Sequence, residues 1–388
     1  MADSLVQSFF LIFTGAAILA SLALFGKQPL LVAYIVLGAL LGPHGLKWVT
    51  DVDLLSQISS IGIIFLLFLL GLDMQPQALW RVLRQVTHIT LFSSILFAAI
   101  GYLIGYSFGY SPTENLIIGA AMMFSSTIIG IKLLPTTVLH HKHSGEIMIG
   151  MLLMQDFLAI FVLLLLLSGE AGLQSPIQLG KSFIALPLLI GGCVLMVRYI
   201  LLPLFARFDR IGEYVFLLAI GWCLGIAEFA EHIGLSREIG AFLAGISIAT
   251  SPIAQYIALN LKPLRDFFLI LFFFSLGGGF NLSLIPEIAL PAIILGIAML
   301  TVKPLVFHLL LKRQSERDSL AWDIGFRLGQ ISEFSLLIAY VAFNSSLISN
   351  NASHLIQAAA IITFLVSSYI VVFNFPNPIA VSEKLRRD

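Results

Sequence analysis

Residues 147–168 read IMIGMLLMQDFLAIFVLLLLLS. Asp156 is the only charge among them, and the run is long enough to cross a bilayer, which takes about 20 apolar residues. An ionised carboxylate in hydrocarbon costs about 2.5–3.5 kcal/mol on insertion scales, so such a residue is retained only if it is paired or if it works. A carboxyl group can hold a proton or a small cation, one at a time. Gln155 beside it has no proton to titrate and can offer an amide oxygen. Asp156 and Gln155 therefore form the first candidate site, one at which a cation and a proton compete.

The rest of the chain has the same character. Of its 388 residues, 59% are hydrophobic and 11% charged, against about 25% charged in soluble proteins. The chain is thus an all-α polytopic membrane protein. Its net charge of zero offers no basic surface for nucleic acid. Cys193 and Cys223 fall in apolar segments without metal-ligand spacing. The N-terminus has no basic n-region and no small-residue cleavage site, so 5–25 is read as a retained first span. Gly-rich phosphate loops, His-Glu-x-x-His and Gly-x-Ser-x-Gly are absent from the sequence, which gives no case for an enzyme and no expectation of a cofactor. The cluster His140-His141-Lys142-His143 reads as a solvated loop rather than a metal site.

Gly, Pro and charge divide the apolar sequence into about 13 segments: 5–25, 29–43, 54–73, 86–109, 114–135, 146–168, 181–206, 213–231, 237–250, 263–280, 287–311, 319–343 and 353–375. Loops after odd-numbered segments, with the C-terminal tail, hold fifteen of the 21 Lys and Arg residues. Loops after even-numbered segments hold Lys47, Lys181 and Arg237. The positive-inside rule then places the N-terminus outside and the C-terminus in the cytoplasm, and the expected location is a bacterial inner membrane.

A constant offset of 207 residues relates distant segments. It pairs Ile63–Gly71 with Ile270–Gly278, Gly38 with Gly245, Ser125 with Ser332, and Phe157-Leu158 with Phe364-Leu365. Seven spans separate each segment from its counterpart, and an odd number reverses direction in the membrane. This predicts an inverted-topology repeat, with repeat one at 1–168, a linking helix at 181–206 and repeat two at 213–375, all within one membrane domain spanning 1–388.

Inverted-repeat carriers break helices near the midplane to build ion sites. Segment 5 carries Ser125, Ser126 and Thr127 before Gly130, and hydroxyls can satisfy backbone groups freed by unwinding. Segment 12 carries Gly329, Gln330, Ser332 and Glu333. Ser and Thr also pack helices or bond to their own turn, but two such interruptions related by the offset favour breaks. Lys303 lies roughly 12 Å of helix from the charged end at Lys312. It is expected to meet Asp156 or the C-terminal dipole of a half-helix. Glu333 is expected at the positive N-terminus of a half-helix, and Arg327 to pair with Asp323 or Glu333. Acidic residues at segment ends (Asp73, Glu228, Glu231, Glu238 and Asp266) read as interfacial.

These motifs resemble the monovalent cation:proton antiporter-2 family, in particular the membrane domain of Kef-type potassium efflux systems. The resemblance rests on Gly38-x3-Gly42-Pro43, Phe68-Leu69-Leu70-Gly71-Leu72-Asp73, Ser125-Ser126-Thr127, Gln155-Asp156, Gly240-Ala241-Phe242-Leu243-Ala244-Gly245, Lys303 and Gly329-Gln330-x-Ser332-Glu333-Phe334. It implies a sodium/proton antiporter-like fold with two crossed discontinuous helices, a homodimer, and a core of segments 4–6 and 11–13 that slides against a scaffold of 1–3 and 8–10. It further implies exchange of a monovalent cation, potassium before sodium, for protons at Asp156, with no metal beyond the transported ion. Kef-type systems continue into a nucleotide-binding regulatory domain, which these 388 residues do not include. A cation channel, a sodium-coupled organic-solute symporter and a non-transporting sensor remain the alternatives.

Overall fold

A computed structural model describes residues 5–26, 28–49, 52–73, 76–126, 143–172, 176–208, 211–249, 251, 253–314 and 316–375. Every regular element among these is helical. In chain order they are α1 (Leu5–Phe25), α2 (Leu30–Leu41), α3 (Val52–Asp73), α4 (Pro76–Ser107), α5 (Pro112–Met122), α6 (His143–Gly172) and α7 (Pro176–Met196). Then come α8 (Leu202–Phe208), α9 (Gly212–His232), α10 (Arg237–Ala249), α11 (Ile253–Gly278), α12 (Ile285–Arg313), α13 (Asp318–Arg327), α14 (Glu333–Asn344) and α15 (Asn350–Asn374).

Each expected segment has helix within it, but several edges move. Hydropathy marks only the part of a helix that is apolar, and polar ends that remain helical are invisible to it. Thus α4 starts at Pro76 and α11 at Ile253, the latter running through Lys262 and Pro263. Segment 12 is two helices, α13 and α14, separated by residues 328–332. Segment 5 begins as α5, which ends at Met122.

The chain divides into two compact units: residues 1–14, 37–79 and 164–279, and residues 15–36, 80–163 and 280–388. In the first, glycines let helices approach closely. A methyl group on Gly245 of α10 would run into the Phe68 carbonyl and the Gly71 Cα of α3, and one on Gly38 of α2 would run into the Phe274 carbonyl and Gly278 nitrogen of α11. The glycine pairs, Gly38 with Gly278 and Gly245 with Gly71, exchange under the same offset of 207. In the same unit, Leu189, Cys193, Val197, Leu201 and Phe205 form a buried stripe at every fourth residue. An α-helix turns 3.6 residues at a time, so such a stripe drifts around its surface. A π-turn at Val197–Leu201, between α7 and α8, has the wider pitch that restores the stripe to the core.

The second unit carries the polar interior. Ser111 caps α5 by accepting from the Glu114 N–H at 3.3 Å, while Glu114 accepts from the Ser111 N–H at 2.8 Å, a reciprocal capping box. The other Glu114 oxygen accepts from the Ser349 N–H at 3.0 Å, joining the start of α5 to the cap of α15. This carboxyl lies before the apolar run of α5. Partial burial pushes it up, but the Ser349 and Ser111 hydrogen bonds outweigh burial and bring it down to about 2. On α12, Pro304 withholds one helix hydrogen bond, and Gly325 lets α13 pack directly on the Pro304 backbone.

Candidate functional site

Two helices stop inside the second unit, and their exposed ends face common partners. Helix α5 ends at its cap, Met123, and Phe124, Ser125 and Ser126 continue as unwound, fully buried chain. Helix α13 ends at Leu328, and α14 starts at Glu333 behind the cap Ser332, whose hydroxyl accepts from the Phe334 N–H at 3.1 Å. Buried carbonyl and N–H groups without partners cost about 1–3 kcal/mol each, and the sequence supplies partners for several of them here.

Lys303 is fully buried, and its ammonium donates to the Phe124 carbonyl at 2.5 Å and the Gln330 carbonyl at 3.1 Å. Of the two partners expected for it, these bonds realise the helix end: Phe124 lies just past the C-terminus of α5, and Gln330 just past that of α13. A cation is favoured at such ends, where the helix dipole is negative. The Phe97 ring, 5.3 Å from the ammonium, adds a cation–π contact.

The interruptions are also tied to each other. The Ser125 hydroxyl donates to the Leu328 carbonyl at 2.7 Å, and the Gln330 amide donates to the Ser126 carbonyl at 3.3 Å. The Ser335 hydroxyl donates to the Ala121 carbonyl in a short hydrogen bond. The two hydroxyl acceptors, Ala121 and Leu328, are again 207 residues apart. From α6, the Gln155 side-chain oxygen accepts from the Ser125 N–H at 2.9 Å. Its amide nitrogen is buried without a hydrogen-bond partner among the described residues. That oxygen, expected to face a cation, is thus engaged in holding the first interruption. Asp156, the next residue on α6, is 4% exposed.

Among the other expected residues, Glu333 opens α14, at the positive end of that half-helix. Arg327 pairs with Asp323 at 2.8 Å. Glu228 and Glu231 are exposed and both pair with Arg237. Thr127 and the run from His140 to Lys142 lie outside the described residues, as does the side chain of His143.

Sequence reasoning missed the hydroxyls of α15. Thr363 accepts from the Ile331 N–H at 3.1 Å, and Ser367 donates to the Gln330 side-chain oxygen at 3.0 Å. A signal for Thr363 was present: the offset that pairs Phe157 with Phe364 also pairs Asp156 with Thr363. Arg198, also missed, is exposed within the π-turn beside Tyr199.

The fold and this polar interior define an integral membrane protein built entirely of helices in its described parts. The chain belongs to the sodium/hydrogen exchanger transmembrane family, which matches residues 9–374. That family consists of transporters rather than enzymes. Over 334 residues the chain is 30% identical to K(+) efflux antiporter 4 of Arabidopsis thaliana, covering 83% of this chain and 56% of that protein. It is 28% identical over 335 residues to K(+) efflux antiporter 6 of the same plant, covering 83% and 55%. The chain therefore spans little more than half the length of these relatives. Its fold is like that of the sodium proton antiporter MjNhaP1 from Methanocaldococcus jannaschii, with a TM-score of 0.70 over 94% of this chain and 95% of that one, at 17% identity. The Kef-type resemblance carried by the motifs agrees with these similarities.

Proposed function

We propose that the chain is the membrane part of a secondary antiporter that exchanges a monovalent cation for protons, the two competing for Asp156. The observation that carries this reading is the position of Asp156: a buried carboxylate in an apolar helix, next to the residue whose amide holds an unwound segment. Main-chain oxygens at such a segment, hydroxyls and the carboxylate are hard ligands suited to an alkali cation. Potassium is favoured over sodium because the K(+) efflux antiporters are similar to this chain over most of its length.

Lys303 and Glu333 are supporting charges in this scheme: the first compensates the two helix C-termini, the second an N-terminus. Ser125, Ser126, Thr127, Gln330 and Ser332 shape the discontinuous helices, and Gln155 positions Ser125. The reading includes an inverted repeat, which the paired glycine contacts and the paired hydroxyl acceptors support. It also includes elevator-type alternating access, a homodimer and an outside N-terminus. In the cycle, a proton on Asp156 is released to one side as the cation arrives, and the reverse exchange follows on the other side. One carboxylate then exchanges one proton per cation, with little net charge movement.

The test is proton movement in proteoliposomes carrying an imposed pH gradient. Potassium is expected to dissipate it, sodium less so and choline not at all. Conduction without proton counterflow would instead identify a channel.

A further inference from the structure

Resting on the antiporter reading, we propose that Thr363 and Ser367 of α15 are positioning residues for the site, Ser367 acting through the Gln330 side chain on the unwound backbone at Ser126 and Thr363 through the Ile331 N–H next to Gln330. The chain of contacts is continuous. Thr363 accepts from the Ile331 N–H and donates to the Ala360 carbonyl at 2.9 Å, which fixes its hydroxyl on the second interruption. Ser367 donates to the Gln330 oxygen at 3.0 Å, and the Gln330 nitrogen donates to the Ser126 carbonyl at 3.3 Å. Because a carbonyl can only accept, the Gln330 nitrogen must face Ser126, and its oxygen then faces Ser367. The amide is held at both ends. All three side chains are buried, with exposures of 0–1%.

The consequence falls on Ser125 and Ser126. Gln155 holds the Ser125 N–H from α6, and Gln330 holds the Ser126 carbonyl from the opposite interruption. This short segment is therefore clamped from two sides, one clamp being the immediate neighbour of Asp156 and the other depending on Ser367. Thr363 occupies the position in the second half that Asp156 occupies in the first. A threonine hydroxyl can satisfy a backbone N–H, yet it does not exchange a proton for a cation. At this pair of positions the second half thus holds backbone, while the first offers the carboxylate for the exchange. Binding sites need their ligating oxygens fixed to a fraction of an ångström, so loosening the Gln330 clamp weakens the site before it alters turnover.

The experiment uses the full chain purified in detergent and reconstituted in liposomes. Thermal stabilisation by potassium or sodium chloride, against choline chloride at equal ionic strength, reports binding without transport. Proton movement in the liposomes reports turnover. Ser367→Ala and Thr363→Val are each expected to raise the half-saturating cation concentration about five- to tenfold in both assays, a loss on the scale of one neutral hydrogen bond. Their maximal rates should stay within about twofold of wild type, and Ser367→Thr and Thr363→Ser should restore the affinity. Ser367→Cys, a milder change with a weaker donor, carries the same test should the alanine variant not fold.

Unchanged half-saturation in these variants overturns the proposal while leaving the antiporter reading intact. So does a fall in thermal stability and maximal rate at constant half-saturation, which marks a purely structural role. A folded wild-type protein that neither binds nor exchanges any cation overturns both readings.

Discussion

The two stretches of the second unit where buried chain leaves a helix, 123–126 after α5 and 328–332 after α13, share a design but differ in what holds them. Each presents a helix C-terminus to Lys303, and each takes a serine hydroxyl from the other side on a main-chain carbonyl. Behind the second, Thr363 holds the Ile331 N–H. The residue 207 positions before Thr363 is Asp156, on the helix whose Gln155 holds the Ser125 N–H. Thr363 demonstrates that a neutral hydroxyl is enough to hold an unwound segment. A carboxylate exceeds that structural need and carries a desolvation cost of about 2.5–3.5 kcal/mol, which the proposed exchange at Asp156 would explain.

The largest effect is expected at the element the interruptions share. Lys303→Met removes the donor from two buried carbonyls, each held by a charge-assisted bond worth about 1.5–3 kcal/mol. The variant should lose about 3–5 kcal/mol of stability, read as a large drop in thermal midpoint in detergent. A loss below about 1 kcal/mol would mean that the two helix ends do not depend on the ammonium.

Ser125→Ala and Ser335→Ala sharpen the comparison. Each frees one main-chain carbonyl, Leu328 in the first case and Ala121 in the second. Each should cost about 1–2 kcal/mol. If the interruptions are braced alike, the two losses will agree within about 0.5 kcal/mol; a marked inequality would show that one half bears more of the load.

A smaller effect is expected at the solvent end of α5. Glu114→Gln keeps an acceptor but weakens the bonds to Ser111 and Ser349, at about 1 kcal/mol. With the carboxyl held at about 2 in the folded protein against an ordinary value of 4.5, its contribution is complete above pH 4.5. It fades as the pH falls towards 2. The stability difference between wild type and Glu114→Gln should therefore shrink on acidification through that window. A difference independent of pH would remove Glu114 as the link between α5 and α15.

Much of this molecule was legible because membrane insertion is so restrictive. Apolar runs located the helices, and the hydroxyl and glycine clusters located both interruptions. Helix ends were less legible: the amphipathic start of α11 at Ile253 carries no hydropathy signal, and the π-turn at Val197 has no residue signature. For Gln155 the sequence suggested an oxygen for the cation and gave no sign that this oxygen also accepts from the Ser125 N–H. The hydroxyls of Thr363 and Ser367 were hidden for another reason. In a helix such residues usually bond to their own preceding turn; Thr363 does so at Ala360 while also accepting from Ile331, 32 residues away. Only the repeat offset, followed one residue further, pointed to it.

The central claim is competition between a cation and a proton for one carboxylate, and the pH dependence of cation affinity tests it most directly. In proteoliposomes, the half-saturating potassium or sodium concentration should rise about tenfold for each unit of pH decrease on the acid side, at a maximal rate reached whenever cation is in excess. Asp156→Asn should show no exchange at any pH. Half-saturation that stays constant across pH, or exchange that persists in Asp156→Asn, would contradict the account.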